Sequence, residues 1–344
     1  MALDPREMDV LFTIVEDYIA RSLPVGSRTV AKQSGLSLSP ASMRNTMADL
    51  TELGFLQQPH TSAGRIPTVK AFRFYLDTRL KPVPLPRIKR TNISDELERA
   101  GLEISTILAR ATKVVSDQTK QISLILAPSR VDVRWREIDF TLVKPRLVLA
   151  VLILEGGMVQ NKLLEVDEDI TSDDLVKFRN YLNDHFSGLT LAEARERVVE
   201  DLHNAEKHLQ DLYRKALRLA RHAVDDAQER ELFVDGAVNL FSQGETTDVL
   251  LIRDVLGLVE ERSRLLELLD KTILAEEGAK VTLGQESALD EFKDLSVVTA
   301  PYGREGAQRG VVSVIGPMQM NYAKVVPVVD YIAATLTQLL KQRF

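Results

Sequence analysis

Residues 27–68 read SRTVAKQSGLSLSPASMRNTMADLTELGFLQQPHTSAGRIPT, in which the local signals run helix, tight turn, helix, short β-hairpin. Ser27 predicts the cap of a first helix, Arg28–Ser34, with Val30 and Ala31 turned inward and Gly35 ending it in the left-handed conformation. Leu36–Leu38 make the turn. Ser39 and Pro40 open the second helix, because a serine oxygen satisfies an orphan N–H and proline has none to satisfy. Met43, Met47, Leu50 and Leu53 recur at helical spacing and so share one face. The opposite face carries Ser42, Asn45 and Ala48, with Arg44 at its margin and Ser39 at its tip. Short or fork-shaped side chains suit a helix lying against base edges in a major groove. Gly54 closes this helix, and Phe55–Gln58 and Arg65–Thr68 pair as strands around residues 60–64. The order is that of a winged helix-turn-helix, with His60, Thr61 and Arg65 on the wing facing phosphates or a minor groove. Helix-start chemistry and a solvated face explain the same residues without nucleic acid, so the distribution of charge matters.

The net charge of −6 over 344 residues hides an asymmetry. Residues 1–90 hold 13 Lys and Arg against 8 Asp and Glu, a net of +5, while the other 254 carry 31 against 42, a net of −11. A basic head on an acidic body turns the head toward phosphate. The length allows two or three domains. The absence of cysteine excludes disulfides, thiolate catalysis and cysteine-ligated metal sites. No run is read as the roughly 18 apolar residues of a membrane span, the start lacks the layout of a signal peptide, and a cytoplasmic location is expected.

Along the chain, apolar spacing predicts a helix over residues 5–22 that completes a three-helix core, and another over Val69–Leu80 capped by Thr68. Lys81–Arg90, KPVPLPRIKR, reads as a linker because three prolines interrupt any period. A helix is expected from Ser94 to about Asp117, then strands over 122–127, 137–143, 147–154 and 158–166, with Glu155-Gly-Gly157 as a hairpin. Thr171-Ser-Asp-Asp174 and Thr190-Leu-Ala-Glu193 are helix starts. Beyond the second, Leu202, Ala205, Leu209, Leu212, Ala216, Leu219 and Ala223 form a seam of three- and four-residue steps. That seam fits pairing of two subunits or packing on the chain's own sheet, and its alternation of Ala and Leu favours pairing. A strand over 232–241, helices over 247–256 and 258–274, a strand over 280–283, a short helix near 287–293, strands over 296–301 and 310–316 and a last helix over 325–340 complete the pattern. The glycines of YGREGAQRG (302–310) lie between strands with no helix to follow, which argues for a hairpin loop rather than a phosphate cradle.

Five histidines, of which His203 and His208 are five apart, make no metal-ligand pattern, and no P-loop or nucleophile elbow is present. No enzymatic activity, cofactor or metal is expected.

The run PVGSRTV…GRIPT (24–68), DGAVNLF from Asp235 and SVVTAPYGREGAQRGVVSVIGPMQMNYAKVVPVVDYIAATL from Ser296 resemble the HrcA heat-inducible transcription repressors of bacteria. The resemblance implies an α/β multidomain protein. It would have a winged-helix DNA-binding domain (1–80), a linker (81–93), a GAF-like α/β domain in two segments (94–145 and 240–344) and an inserted helical/β dimerisation domain (146–239). It also implies a homodimer on double-stranded DNA, at the CIRCE inverted repeat, and dependence on the GroEL chaperonin. On that basis Ser42, Arg44 and Asn45 are expected at base edges, and Arg28, Ser39, His60, Thr61, Arg65 and Lys70 at the backbone or on the wing. Leu202, Leu209, Leu212 and Leu219 are expected in the dimer contact. The competing expectation is a winged-helix regulator whose GAF-like domain senses a small molecule.

Overall fold

A computed structural model describes residues 3–35, 39–60, 63–101, 103–129, 133–166, 170–208, 215–221, 230–242, 257, 265, 266, 269, 278–286, 295–303 and 309–343. The N-terminal unit consists of α1 (Pro5–Arg21), α2 (Ser27–Gln33), α3 (Pro40–Glu52), the two-residue strands β1 (Leu56–Gln57) and β2 (Ile66–Pro67), and α4 (Val69–Thr78). Asp4 and Glu7 start α1 by exchanging side-chain and backbone hydrogen bonds of 2.7 and 2.9 Å. Val10, Leu11, Ile14 and Val15 of α1, Val30 of α2, Met43 and Leu50 of α3 and Phe72 of α4 are buried in one core. Each such side chain contributes about 1.5–3 kcal/mol, which suffices to hold three short helices that would not persist alone. The helix expected over Arg28–Ser34 with Ser27 as its cap begins one residue earlier, at Ser27, with Gly26 in the cap position.

The linker expected over 81–93 is shorter than its sequence implied. Residues 80–86 have no regular structure, and α5 (Arg87–Glu98) starts directly after Pro86. Prolines stop a helix before them but not after, since the fixed φ of Pro86 serves its start. Ile93 and Leu97 bury its inner face. The single helix expected from Ser94 to Asp117 is two, because Gly101 at φ +94° separates α5 from α6 (Ile104–Thr119).

Five strands form an antiparallel sheet, β3 (Ile122–Leu126), β7 (Leu232–Asp235), β8 (Lys280–Leu283), β9 (Leu295–Gly303) and β10 (Arg309–Pro317), in the order β7-β3-β10-β9-β8. Ile125, Val298, Val312 and Val314 face α6 and the last helix, α9 (Tyr322–Arg343), in the same core as the N-terminal unit. On the other face Leu126 and Val311 pack with Leu269. By length and composition Tyr322–Gln342 meets the measure of a membrane span, contrary to the expectation of none. Here it is a core helix, with Val325, Val329, Ile332 and Leu336 buried against the sheet. The strand expected over 232–241 ends at Asp235, where Gly236 turns the chain at φ +87° into a 3₁₀ turn. A Cβ at Gly236 would stand 2.3 Å from Ser116 Oγ, and Asn239 donates to that same hydroxyl at 3.0 Å. The DGAVNLF segment is therefore a clasp between α6 and the sheet.

The second sheet, β4 (Trp135–Lys144), β5 (Leu147–Leu154) and β6 (Val159–Glu165), is antiparallel in chain order. Its inner face, Val148, Ala150, Leu152 and Leu154, packs on α7 (Ser172–Phe186) and α8 (Leu191–His208). Asn183 locks α7 to β4, accepting from Ile138 N–H at 2.8 Å and donating to its carbonyl at 3.0 Å. Sheet membership moves both edges of the expected insert 146–239. Strand β4 belongs with β5 and β6, and β7 belongs to the five-stranded sheet. The helices expected over 247–256 and near 287–293, most of that over 258–274, and the turn 36–38 lie outside the described residues.

Candidate nucleic-acid interface

Helix α3 has one face in the core and one in solvent. Met43, Thr46, Met47 and Leu50 are buried, while Arg44 and Asn45 are exposed. Ser39 caps it, its Oγ accepting from Ser42 N–H at 3.2 Å and lying 3.2 Å from Ser42 Oγ. Ser42 is thus half-buried at the margin, beside Ser39 rather than at the centre of the exposed face. No acidic residue occupies the first turn, so the partial positive charge of this helix end stays uncompensated and favours an approaching anion. By contrast α7 and α8 close their starts with Asp174 and Glu193. Hydrogen bonds from Thr171 hold the Asp174 carboxyl below the usual carboxylate range, and those from Thr190 do the same for Glu193.

Around α3 stand further cationic and polar groups. Arg28, on α2, is exposed, as is His60 at the hairpin tip. Thr61 lies outside the described residues. Arg65 is half-buried, with its Nε donating to Thr51 Oγ1 at 3.1 Å, and so hangs from the C-terminal end of α3. Its backbone exchanges two bonds of 2.8 and 2.9 Å with Val25, which ties the hairpin to the chain before α2. That approach requires Gly64, where a Cβ would lie 2.4 Å from the Val25 carbonyl oxygen. Lys70, expected at phosphate, is exposed and also bonded within the chain. Its Nζ donates to Leu53 O at 2.8 Å and lies over the Phe55 ring, because the carbonyls at the end of α3 attract a cation.

The sequence reading passed over Arg6. From α1 its Nη2 donates to Thr46 Oγ1 at 3.1 Å, which sets an exposed guanidinium beside the N-terminal half of α3. The available signal was Thr46, a polar residue on an otherwise apolar stripe and so in need of a partner.

The seam residues go elsewhere. Leu219, with Ala216 and Ala220, is buried in the chain's own three-stranded core, and Leu202 packs against it. Of the two arrangements the spacing allowed, these residues adopt packing on the chain's own sheet. Leu209 and Leu212 lie outside the described residues.

The helix presenting Arg44 and Asn45 beside a polar hairpin is thus carried on a body of two sheets. A family model described as the HrcA protein C-terminal domain matches residues 105–326. The heat-inducible transcription repressor HrcA of Nitratidesulfovibrio vulgaris (strain DSM 19637 / Miyazaki F) is 51% identical over 347 residues, covering 100% of this chain and 97% of the relative. That of Geobacter sulfurreducens is 37% identical, with 98% of each covered. A solved structure described only as a hypothetical protein shares the fold, with a TM-score of 0.69 at 24% identity and full coverage of both chains. The chain belongs to the HrcA family, whose members are named as repressors, not enzymes.

Proposed function

We propose that this protein is a dimeric repressor of heat-shock chaperone operons, acting as a winged helix-turn-helix at a CIRCE-type inverted repeat in the cytoplasm. The observation that carries this reading is α3 itself, with its apolar face buried and Arg44 and Asn45 exposed beside an open helix start. Arg44 and Asn45 then read base edges, Ser42 and Ser39 meet the backbone at the helix tip, and Arg28, Arg6, His60 and Arg65 meet phosphates. The five-stranded sheet with α6 and α9 is read as the GAF-like domain. The GroEL chaperonin, implied by the family resemblance, keeps the repressor active and releases its operons when unfolded proteins occupy it.

A dimer is supported by the outer face of the second sheet. Leu149 and Ile153 of β5 pair with Leu163 and Val159 of β6 on the face away from α7 and α8, with Val151 beside Asn161 between them, while β4 contributes Glu137, Asp139 and Thr141 to the same face. Val159 and Leu163 are each 59% exposed. Apolar side chains gathered on one open sheet face fit a second copy of the same face about a two-fold axis, and an inverted repeat has the matching symmetry. The dimer contact thereby moves from the helical seam to the sheet.

The test is binding of purified protein to the inverted repeat and to scrambled DNA of equal length across salt, with and without chaperonin. Operator selectivity on the order of 10³ or more, with affinity falling as salt rises, supports the reading. Equal binding to both DNAs in every condition overturns it. A second reading, a ligand-responsive regulator, is favoured by a cleft of about 730 Å³ between β9 and α9, lined by Tyr302, Asp330, Thr337 and Lys341 among others. A small molecule that protects those residues from hydrogen exchange and shifts operator affinity would establish it.

A further inference from the structure

Arg73 lies on α4, outside the candidate DNA surface, and reaches across to the sheet of the body. Its Nε donates to Glu286 Oε1 at 2.6 Å, its Nη2 donates to Glu286 Oε2, and the same Nη2 donates to Val281 O at 2.9 Å. Glu286 is held in turn, since its Oε2 accepts the Leu283 N–H at 2.9 Å. The guanidinium therefore grips the edge strand β8 and the 3₁₀ turn after it (Gly284–Glu286) through three hydrogen bonds from two nitrogens, a bidentate geometry that fixes direction as well as distance. Burial pushes the Glu286 carboxyl up, but the bonds from Arg73 and the Leu283 N–H outweigh it and hold it below its ordinary value.

On the other side of the grip α4 is rigidly joined to α3. Phe72, Tyr75 and Leu76 are buried, and Phe74 packs edge-on to Phe55 at 5.6 Å and stacks on Phe12 at 5.8 Å. Phe55 N–H bonds to Leu50 O, and Lys70 of α4 bonds to Leu53 O, both at the end of α3. A continuous path thus runs from β8 through Arg73 and α4 to the axis of α3. The covalent connection, residues 80–86, has no regular structure, although Leu85 is buried in the shared core.

We propose that the Arg73–Glu286 pair is a strut that sets the direction of α3 relative to the body, and hence determines which half-site spacing a dimer accepts. The proposal rests on the reading of the protein as a dimeric binder of an inverted repeat. In such a dimer each α3 must enter its groove at a distance fixed by the body, so the angle of the head converts directly into base pairs between half-sites. Arg73 and Glu286 touch no DNA; they are positioning residues that act through α3.

The experiment measures affinity for a series of inverted repeats whose spacer is lengthened or shortened by one to five base pairs, and for a single half-site. Wild-type protein is expected to prefer one spacing by about tenfold or more, because only that spacing lets both heads bind at once. Glu286→Gln and Arg73→Met are expected to flatten the preference to within about threefold, with half-site affinity unchanged. That unchanged half-site binding also shows that the heads have folded. Since the chain has no cysteine, an Arg73→Cys/Glu286→Cys double variant cross-linked by a short bismaleimide supplies an independent check. It should lose the spacing preference before cross-linking and regain it after. Variants that keep the wild-type spacing profile overturn the strut. Wild-type protein that binds no inverted repeat better than a half-site overturns the dimeric reading instead.

Discussion

The outward faces of α3 and of the β5-β6 pair differ in chemistry. Around α3 the exposed groups are cationic or hydrogen-bonding, Arg44, Asn45, Arg28 and Arg6. On the β5-β6 half of the sheet they are mainly aliphatic, with Val159 and Leu163 more than half exposed, while β4 presents Glu137, Asp139 and Thr141. A polar face is stable in water whether or not a ligand comes, whereas a contiguous aliphatic face is a liability until something covers it. On the proposed reading the first face meets DNA as an occasional partner and the second a second subunit as a constant one.

Leu163→Asp gives the most severe test of that contrast. A carboxylate in the middle of an apolar contact is expected to turn the dimer into a monomer and to lower operator affinity by roughly 100-fold or more, through the loss of bivalent binding. Sedimentation velocity beside a circular dichroism melt checks this, and an unaltered dimer with intact affinity would break the comparison on the sheet side. On the α3 side, Arg44→Ala and Asn45→Ala should each reduce discrimination between operator and random DNA by about 1–3 kcal/mol. The dimer should remain intact in both, as competition binding and sedimentation would show. Arg28→Ala and Arg6→Ala should weaken operator and random DNA alike and reduce the salt slope by about one. Were Arg6→Ala to change sequence preference, its guanidinium would belong among the base readers.

Smaller again is the effect of the closed helix starts, which serve as controls. Thr171→Ala should cost about 1 kcal/mol of stability and leave DNA binding alone. Because Asp174 is held below its ordinary value in the folded chain, its contribution is full above the ordinary carboxylate range and is lost as pH falls through it. The melting difference between wild type and variant should narrow in acid.

Much of the N-terminal unit was legible in sequence because its signals are local. Ser39-Pro40 opens α3, Gly35 and Gly54 take positive φ, and Thr68 caps α4. The exposure of Arg44 and Asn45 followed from the spacing of Met43, Met47 and Leu50 alone. What spacing does not carry is partner choice at a distance. Lys70 and Arg65 read as free cations until the fold brought Leu53 O and Thr51 within reach, and nothing near residue 73 in sequence announces Glu286. The seam over residues 202–223 shows the same limit, since a helical stripe states that a face is covered and not by what. The apolar outer face of β5 was written in its run of Leu, Val, Ala and Ile, which two covered faces explain equally well.

The sheet order has a consequence for how the chain comes into being. Strand β3 lies between β7 and β10, and the Tyr302 hydroxyl that bonds to Leu126 O belongs to a residue 176 positions later. During synthesis β3 therefore leaves the ribosome long before its central neighbour exists, while α9, the helix that covers the sheet, is made after all of its strands. Such non-local closure is slow and exposes aliphatic surface while it waits. The yield of folded chain is therefore expected to depend on how fast the sheet closes relative to competing association of its exposed strands.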